Sequence, residues 1–295
     1  MKKINFNNVI EHKSELPFYK NLPFKIISFL KTNEKGSFSE IIKFAGGTSR
    51  KTLRLLNEMI NNGLIKFKNG YFFLPSKRKY EITRMEVICR NCNGKIVERT
   101  NRFYQRIKNL MEKIYPLRPP PTFIFDQRPV NLDTTIRRAF YLVWRGDVQS
   151  KKIAIIGDDD LTSLALGFLN LSKEIVVFEI DKRLVKFLKE QSTKYHLNIK
   201  VIEKNVFFGI PTKWRNRFDV FLTDPTPKLV PFTVFLNAGI KLLKREENKV
   251  GYLSIYPSHS AKLIDFQKIL TKMNLIITDI IPYFTEYEII LLNMK

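Results

Sequence analysis

The chain has 295 residues, a net charge of +23 and a hydrophobic content of 44%, with 13% aromatic residues. This composition is typical of a globular protein and excludes a largely disordered chain. No apolar run approaches the roughly 20 residues that span a bilayer. The first residues, MKKINFNNVIEHKSE, lack the apolar core of a signal peptide. We therefore expect a cytoplasmic protein with no membrane partner.

The positive charge is concentrated in the first part of the chain. Residues 1–118 contain 25 Lys and Arg, nine Glu and no Asp, which gives a charge of +16. The remaining residues hold 26 Lys and Arg against 19 Asp and Glu. This uneven distribution predicts domains with different partners. We assign a small domain to residues 1–75, a basic bridge with a proline-rich linker to 76–121, and the main domain to 122–295.

The small domain has a winged-helix-like pattern. A short helix ends at Gly46-Gly47, and a second helix follows in which Leu53, Leu56 and Ile60 form an apolar face. Asn69-Gly70 then predicts a hairpin turn. The second helix is basic and could bind nucleic acid, but the pattern fits a packing or dimerisation role equally well.

The two cysteines, Cys89 and Cys92, have the C-x-x-C spacing of a redox pair or of half a zinc site. A four-ligand zinc site needs two further ligands, and no Cys or His nearby supplies them. A reduced structural pair is therefore the favoured interpretation, and we expect no metal.

Beyond residue 122 the sequence predicts an α/β domain. Apolar runs typical of buried strands, such as KIAIIG, EIVVFEID and FDVFLTDP, alternate with segments of helix length. The chain ends in two strand-like runs over 275–295, which predict an antiparallel hairpin. This order matches the Rossmann-like, seven-stranded fold of methyltransferases and aminopropyltransferases.

An acidic sequence follows the first strand of this domain. Gly157 stands where a nucleotide-binding fold keeps its glycine-rich turn, but Asp158, Asp159 and Asp160 come next. Because Asp is favoured at a helix N-terminus, capping explains one of these aspartates, but not all three. Three carboxylates would repel the pyrophosphate of a dinucleotide, so we expect a ligand that carries positive charge.

The next strand ends carry further candidate groups, and ligands of this architecture bind at the carboxyl ends of its strands. Glu179 lies 22 residues after Gly157, a spacing typical of a carboxylate that binds ribose. Asn205 is expected to contact adenine. Asp181 and Asp224 add two more carboxylates. A nucleoside with a cationic tail fits this set, and decarboxylated S-adenosylmethionine has such a tail.

Several motifs together resemble the branched-chain polyamine synthase family, that is, N(4)-bis(aminopropyl)spermidine synthases. They are Phe125-Asp126-Gln127-Arg128-Pro129-Val130, Thr134-Thr135, Arg137-Arg138-Ala139, Arg145-Gly146-Asp147 and Gly157-Asp158-Asp159-Asp160-Leu161-Thr162-Ser163. The resemblance implies that aminopropyl groups pass from decarboxylated S-adenosylmethionine to the secondary amine of spermidine, twice at the same nitrogen. It also implies that Asp160 lies near the reacting amine. The donor is a substrate, and no cofactor is implied.

The site residues follow from this interpretation. Asp160 and Asp224 are the candidates for the catalytic base and its orienting partner, in either assignment. The expected donor-binding residues are Gly157, Asp158, Glu179 and Asn205. The expected polyamine-binding residues are Asp126, Gln127, Asp159, Asp181 and Tyr256. We expect a homodimer, with nucleic-acid binding possible through the basic N-terminal part.

Two other functions remain open at this point. A nucleic-acid methyltransferase would suit the basic N-terminal part and the Asp224-Pro225 motif. However, these enzymes commonly place an aromatic residue after Asp-Pro-Pro to stack a flipped base, and Thr226-Pro227 supplies none. A DNA-binding regulator that senses polyamine or nucleoside is the second alternative.

Overall fold

The computed structural model describes residues 22–45, 49–76, 97–246, 249–255 and 260–288. The chain divides into two compact units, Met1–Cys89 with Ile289–Lys295, and Arg90–Glu288. The predicted domain boundaries at 75 and 121 stay predictions. Cys89, Cys92 and Tyr256 lie outside the described residues. Within the described ranges, no helix combines the length and the apolar character that a membrane span requires.

The described residues of the first unit form three helices and a small antiparallel sheet. In chain order its elements are α1 (Leu22–Asn33), β1 (Lys35–Ser37), α2 (Phe38–Ala45), α3 (Ser49–Asn61), β2 (Lys66–Lys68) and β3 (Tyr71–Phe73). The strands lie in the order β1-β3-β2. Asn69 and Gly70 both have positive φ, as a tight hairpin turn requires. The secondary structure follows the predicted order, and the winged-helix assignment itself stays a prediction.

The buried face of α3 differs from the predicted one. Leu55, Leu56 and Met59 are buried, whereas Leu53 and Ile60 are only partly covered. The predicted face was therefore rotated around the helix axis, since only Leu56 belongs to both sets. The reason is local, because Leu55 and Met59 are four positions apart and so share one side of the helix.

The second unit is an α/β structure. Its elements are α4 (Arg102–Ile114), α5 (Leu132–Trp144), β4 (Lys152–Ile156), α6 (Thr162–Leu169), β5 (Glu174–Glu179), α7 (Lys182–Lys194), β6 (Ile199–Glu203), β7 (Val220–Thr223), α8 (Leu229–Leu242), β8 (Val250–Leu253) and α9 (Ser260–Lys272). The five strands among the described residues of this unit form one sheet in the order β6-β5-β4-β7-β8, and every neighbouring pair is parallel.

Both faces of this sheet are buried, which explains the continuous apolar runs of its strands. Along β4, Ile153 and Ile155 belong to the core cluster shared with α4, α5, α6 and α7. Ala154 and Ile156 face the opposite cluster, which α8 and α9 complete. The strand order reverses beside β4, since the chain continues to β5 on one side and later returns to β7 on the other. Such a reversal opens a crevice at the carboxyl ends of the strands.

The first run of the predicted C-terminal hairpin forms no strand, and most of the second run lies outside the described residues, which end at residue 288. Residues 275–281 form no strand, and Ile276 and Ile280 are 89% and 68% exposed. Residues 284–288 instead run beside residues 129–131, where the backbone N–H of Asn131 donates to the carbonyl of Glu286 at 2.8 Å. The α/β class is confirmed, but the described sheet has five parallel strands, whereas we expected seven with an antiparallel pair.

Candidate active site

The turn after β4 places three consecutive aspartates in three different environments. Gly157 has a φ of +72°, a left-handed conformation that glycine adopts without strain. Both carboxylate oxygens of Asp158 accept from the backbone N–H of Ser163, at 3.2 and 3.3 Å, in the first turn of α6. Burial raises the pKa of Asp158 to about 8. Asp158 is thus the aspartate that caps the helix.

Asp160 is held by the chain segment that precedes α5. Its Oδ1 accepts from the backbone N–H of Val130 at 2.7 Å, and its carbonyl accepts from the Thr135 hydroxyl at 2.8 Å. Its Oδ2 lies 2.5 Å from Nη1 of Arg138. Only 7% of the Asp160 side chain is exposed. These contacts fix both oxygens of the carboxylate.

Arg138 also pairs with the other predicted catalytic residue. Its Nη2 lies 2.5 Å from Oδ2 of Asp224, and the Tyr287 hydroxyl donates to the same carboxylate at 2.9 Å from Oδ1. Burial raises the pKa of Asp224 to about 6, against the lowering effect of the Arg138 charge. Two carboxylates from two strand ends are therefore joined by a single buried guanidinium.

Asp159 differs from its neighbours because its carboxylate is uncommitted. In the described part of the chain it has no hydrogen-bond or ion-pair partner, and only its backbone carbonyl accepts, from Arg118 Nη1 at 3.4 Å. Burial and the charges of Asp160 and Glu179 raise its pKa well above the usual range. A carboxyl group in this situation favours a cationic ligand, since a nearby positive charge would stabilise its ionised form.

Glu179, at the end of β5, ties the first two strand ends together. Its Oε1 accepts from the backbone N–H groups of Ile180 and Asp181 at 2.7 and 2.9 Å, and its Oε2 from that of Asp158 at 2.9 Å. Burial raises the pKa of its carboxyl. The carboxylate therefore has a fixed orientation at the strand end, as the predicted ribose contact requires.

Asp181 has partners within the protein. Its Oδ1 accepts from the backbone N–H of Arg183 at 3.0 Å, so it caps α7, and its Oδ2 lies 2.7 Å from Nη2 of Arg183. Gln127 Nε2 donates to the same Oδ2 at 3.1 Å. Although burial opposes ionisation, these hydrogen bonds lower the pKa of Asp181. Its predicted contact with an ammonium group would have to share oxygens that these groups already use.

The remaining predicted residues have their described contacts away from the acidic cluster. Asn205 accepts from the backbone N–H of Phe207 at 2.9 Å. Asp126 forms an exposed ion pair with Lys228 at 2.8 Å. Tyr256 is outside the described residues. The residues that the structure brings together at the strand ends are thus Gly157, Asp158, Asp159, Asp160, Glu179 and Asp224.

Sequence reasoning missed the roles of Arg138 and Tyr287. Five contacts form a closed ring. Arg138 pairs with both Asp160 and Asp224. Asp160 accepts from the Val130 N–H, Asp224 accepts from the Tyr287 hydroxyl, and an antiparallel β-bridge between Val130 and Tyr287 closes the ring. We call this set the acid–arginine ring. Arg138 did stand in one of the family motifs, but nothing near it in the sequence identified its partners.

Residues 284–288, which we call the C-terminal strap, bring Tyr287 to the ring. Arg137 Nη2 donates to the Phe284 carbonyl at 2.8 Å, and Thr134 Oγ1 accepts from the Glu286 N–H at 3.1 Å. The Arg118 guanidinium pairs with Glu288 at 3.0 Å. Because several polar contacts hold the strap, the position of the Tyr287 hydroxyl is well defined.

Comparison with known proteins decides the family. Residues 106–292 match the family model of the branched-chain polyamine synthase A C-terminal domain. The chain belongs to the branched-chain polyamine synthase family. It is 33% identical over 288 residues to the N(4)-bis(aminopropyl)spermidine synthase of Methanocaldococcus jannaschii, covering 94% of this chain and 81% of that one. The corresponding protein of Thermococcus kodakarensis is 30% identical, with the same coverage. The resemblance inferred from the motifs is thereby confirmed.

A solved structure of the family supports the fold. The branched-chain polyamine synthase from Thermus thermophilus, in complex with N4-aminopropylspermidine and 5'-methylthioadenosine, aligns with a TM-score of 0.68 and 25% identity. The alignment covers 89% of this chain and 76% of that one. That relative holds a branched polyamine and a nucleoside product together.

The acid–arginine ring predicts a large stability cost for the loss of Arg138. Arg138→Met leaves Asp160 and Asp224 buried without their cation, which should lower the free energy of unfolding by about 3–5 kcal/mol. Urea unfolding measures this change. In Arg145→Met the lost ion pair joins an arginine that is 31% exposed to Asp279, which is 42% exposed, so that control should cost about 1 kcal/mol or less. Adding Asp160→Asn to Arg138→Met should restore part of the loss, and equal costs for the two arginines would contradict the ring.

Proposed function

We propose that this chain transfers aminopropyl groups from decarboxylated S-adenosylmethionine to the secondary amine of spermidine. The products are N(4)-aminopropylspermidine and then N(4)-bis(aminopropyl)spermidine, with methylthioadenosine released each time. The observation that carries the proposal is an excess of carboxyl groups at the sheet edge in a member of this family. Asp158, Asp159, Asp160, Glu179 and Asp224 gather there around Arg138. Such a site favours a substrate with several ammonium groups over an anionic one.

For the chemical step, the protein has to orient the amine towards the aminopropyl carbon and to remove a proton from the amine. The lone pair of the amine nitrogen attacks the aminopropyl carbon that is bonded to sulfur, a C–N bond forms and the C–S bond breaks. The sulfur keeps the electron pair and leaves as neutral methylthioadenosine. A positively charged sulfur is already a good leaving group, so no metal is required. The amine must lose its proton before it can attack, and a positioned carboxylate is suited to accept it.

Asp224 is the better candidate for the base, and Asp160 for the orienting residue. A general base works best when its pKa lies near the operating pH, and the pKa of Asp224 is about 6. Its side chain is 15% exposed, about twice the 7% of Asp160. Asp160 is also tied to the backbone of Val130, which suits a residue that holds Arg138 in place. Arg138 is then a positioning residue.

The other carboxylates bind the substrates in this proposal. Asp159, whose carboxylate is free among the described residues, binds an ammonium group of the donor tail or of the acceptor. Glu179 binds the ribose hydroxyls, and Asn205 contacts the adenine. Asp126, Gln127 and Asp181 would meet the distal part of the polyamine. A homodimer, a cytoplasmic location and nucleic-acid binding through the basic N-terminal part remain predictions, and the transfer requires none of them.

Product analysis tests the proposed reaction. Incubation with decarboxylated S-adenosylmethionine and spermidine should give mass increments of one and then two aminopropyl groups, with one methylthioadenosine released for each group transferred. Chromatography beside spermine and thermospermine standards separates branched from linear products. A linear product alone would refute the branching. Methylation of nucleic acid from S-adenosylmethionine, without polyamine products, would favour the methyltransferase alternative.

Replacement of Asp224 tests the assignment of the base. Asp224→Asn should lower turnover by at least ~100-fold, because Asn cannot accept the proton. In the wild type, turnover should rise as the pH passes through about 6 and Asp224 ionises, and the variant should lose that rise. Retained binding of methylthioadenosine shows that the site is intact. The matched control is Asp265→Asn, at a side chain that is 45% exposed on α9, and it should leave turnover unchanged. If turnover of Asp224→Asn depended on pH in the same way as turnover of the wild type, Asp224 would not be the base.

Binding of the donor should release protons, because the pKa values of Asp158 and Asp159 are raised by burial. At pH 7 Asp158, whose pKa is about 8, holds its proton in most molecules of the free protein, and a cationic tail lowers the pKa values of both aspartates on binding. Affinity should therefore rise between pH 6 and 8. Calorimetry in two buffers with different ionisation enthalpies counts the released protons.

Three related ligands make the binding test specific. Methylthioadenosine lacks the ammonium tail and should release no protons. S-adenosylmethionine adds a carboxylate, and a like-charge contact at ~4 Å costs on the order of 1–4 kcal/mol, or roughly 5-fold to several hundredfold in affinity. The Asp159→Asn variant should release fewer protons when it binds the donor. The ratio of its affinities for decarboxylated S-adenosylmethionine and S-adenosylmethionine should be smaller than that of the wild type. Equal affinity of the wild type for both donors would contradict the role of the aspartates.

A further inference from the structure

The small sheet of the first unit has a face built from lysines and aromatic rings. Cross-strand partners share a face in an antiparallel sheet. One row across the strands is Lys35, Phe73 and Lys66, and the next row is Ser37, Tyr71 and Lys68. The opposite face carries Gly36 and Phe72, which are buried, and Phe67, which is 52% exposed. We call the face with the two rows the lysine–aromatic face.

Four of the six side chains of this face are exposed, whereas Ser37 and Phe73 are half-buried. Tyr71 is 41% exposed, and Lys35, Lys66 and Lys68 are exposed. Lys66 and Lys68 pair with no carboxylate among the described residues. Lys35 Nζ lies 4.8 Å from the centroid of the Tyr71 ring, so the ring has positive charge beside it.

A depression of about 410 Å³ lies at one end of the face, lined by Glu34, Lys35, Lys68, Asn69, Tyr71 and Phe73. Both central aromatic residues line it, and they are two positions apart on β3. Residues at this spacing on a strand are roughly 6.6–6.8 Å apart on the same face. Sheets that bind single-stranded RNA use aromatic residues in this way, with bases stacked on their rings.

The charge around the face indicates an anionic partner. Residues 1–89, which belong to the first unit, contain 17 Lys and Arg, seven Glu and no Asp, and Arg50 and Arg54 of α3 are exposed. Aromatic rings between lysines suit a polymer in which bases alternate with phosphates. Bases within a duplex present no faces to such rings, because they are already stacked.

We propose that the lysine–aromatic face binds single-stranded nucleic acid, with bases stacked on Tyr71 and Phe73 and phosphates paired with Lys66 and Lys68. This binding is separate from aminopropyl transfer, which uses carboxylates of the second unit. A failure of one proposal therefore leaves the other in place.

Fluorescence anisotropy of the full-length chain with labelled single-stranded oligo(U) and oligo(dT), over a range of salt concentrations, tests the proposal. Tyr71→Ala should weaken binding by roughly 5-fold to 150-fold, the range for loss of one stacked base, while Tyr71→Phe keeps the ring and the affinity. The double variant Lys66→Gln/Lys68→Gln should make the slope of log affinity against log salt shallower by about 1.4, because two phosphate contacts are lost.

A matched control separates a site from general attraction to a basic protein. Lys173→Gln/Lys189→Gln removes the same charge from two exposed lysines of the second unit and should leave both affinity and salt slope unchanged. Equal losses in the two lysine pairs would overturn the proposal. So would wild-type affinity in Tyr71→Ala, or duplex binding as tight as that of the single strand. Binding to anionic vesicles but to no oligonucleotide would also overturn it. Product formation from spermidine should be normal in all these variants.

Discussion

The guanidinium of Arg138 is the group on which the candidate active site depends. It lies between Asp160 and Asp224, which follow two different strands of the sheet, and it is itself buried. Burying either carboxylate alone would cost several kcal/mol, and the shared cation reduces that cost for both. The geometry has a further effect, because Arg138 belongs to α5 and so fixes this helix against the ends of β4 and β7. One side chain from outside the sheet thus contacts both catalytic candidates.

One arginine cannot neutralise all the carboxyl groups around it. Burial raises the pKa values of Asp158 and Asp159, which favours binding of protons by these carboxylates and so a lower negative charge in the free site. A polyamine or an aminopropyl tail brings the missing positive charge and can take the place of those protons. The same arrangement explains how a protein of net charge +23 can attract a cation, since the local field near the carboxylates differs in sign from the distant one. The site is then selective for cations because its carboxyl groups are buried and outnumber the positive charges that the protein places beside them.

Sequence reasoning succeeded where the signal was local. The parallel strands of the second unit were predicted because both faces of the sheet are buried, which makes each strand a continuous apolar run. The strand ends located Asp160, Glu179 and Asp224, since parallel strands bring their carboxyl ends to one edge. The reasoning failed where partners are distant in the chain, as for Arg138, which is 86 residues from Asp224. It also failed over residues 275–281, whose apolar side chains resemble a strand although several are exposed. An apolar run predicts burial only when a surface exists to cover it.

The acid–arginine ring also has a consequence for how the site forms. Its five members come from the segment before α5, from α5 itself, from the ends of β4 and β7, and from the C-terminal strap. Each contact orders groups that the next contact then uses, so the entropy of ordering is shared around the ring and the contacts should form cooperatively. Tyr287 closes the ring, because its hydroxyl binds Asp224 and its backbone bridges to Val130, which binds Asp160. The strap is therefore part of the candidate active site. Arg118, Thr134 and Arg137 hold the strap, and through Tyr287 they help to determine the hydrogen bonding of Asp224.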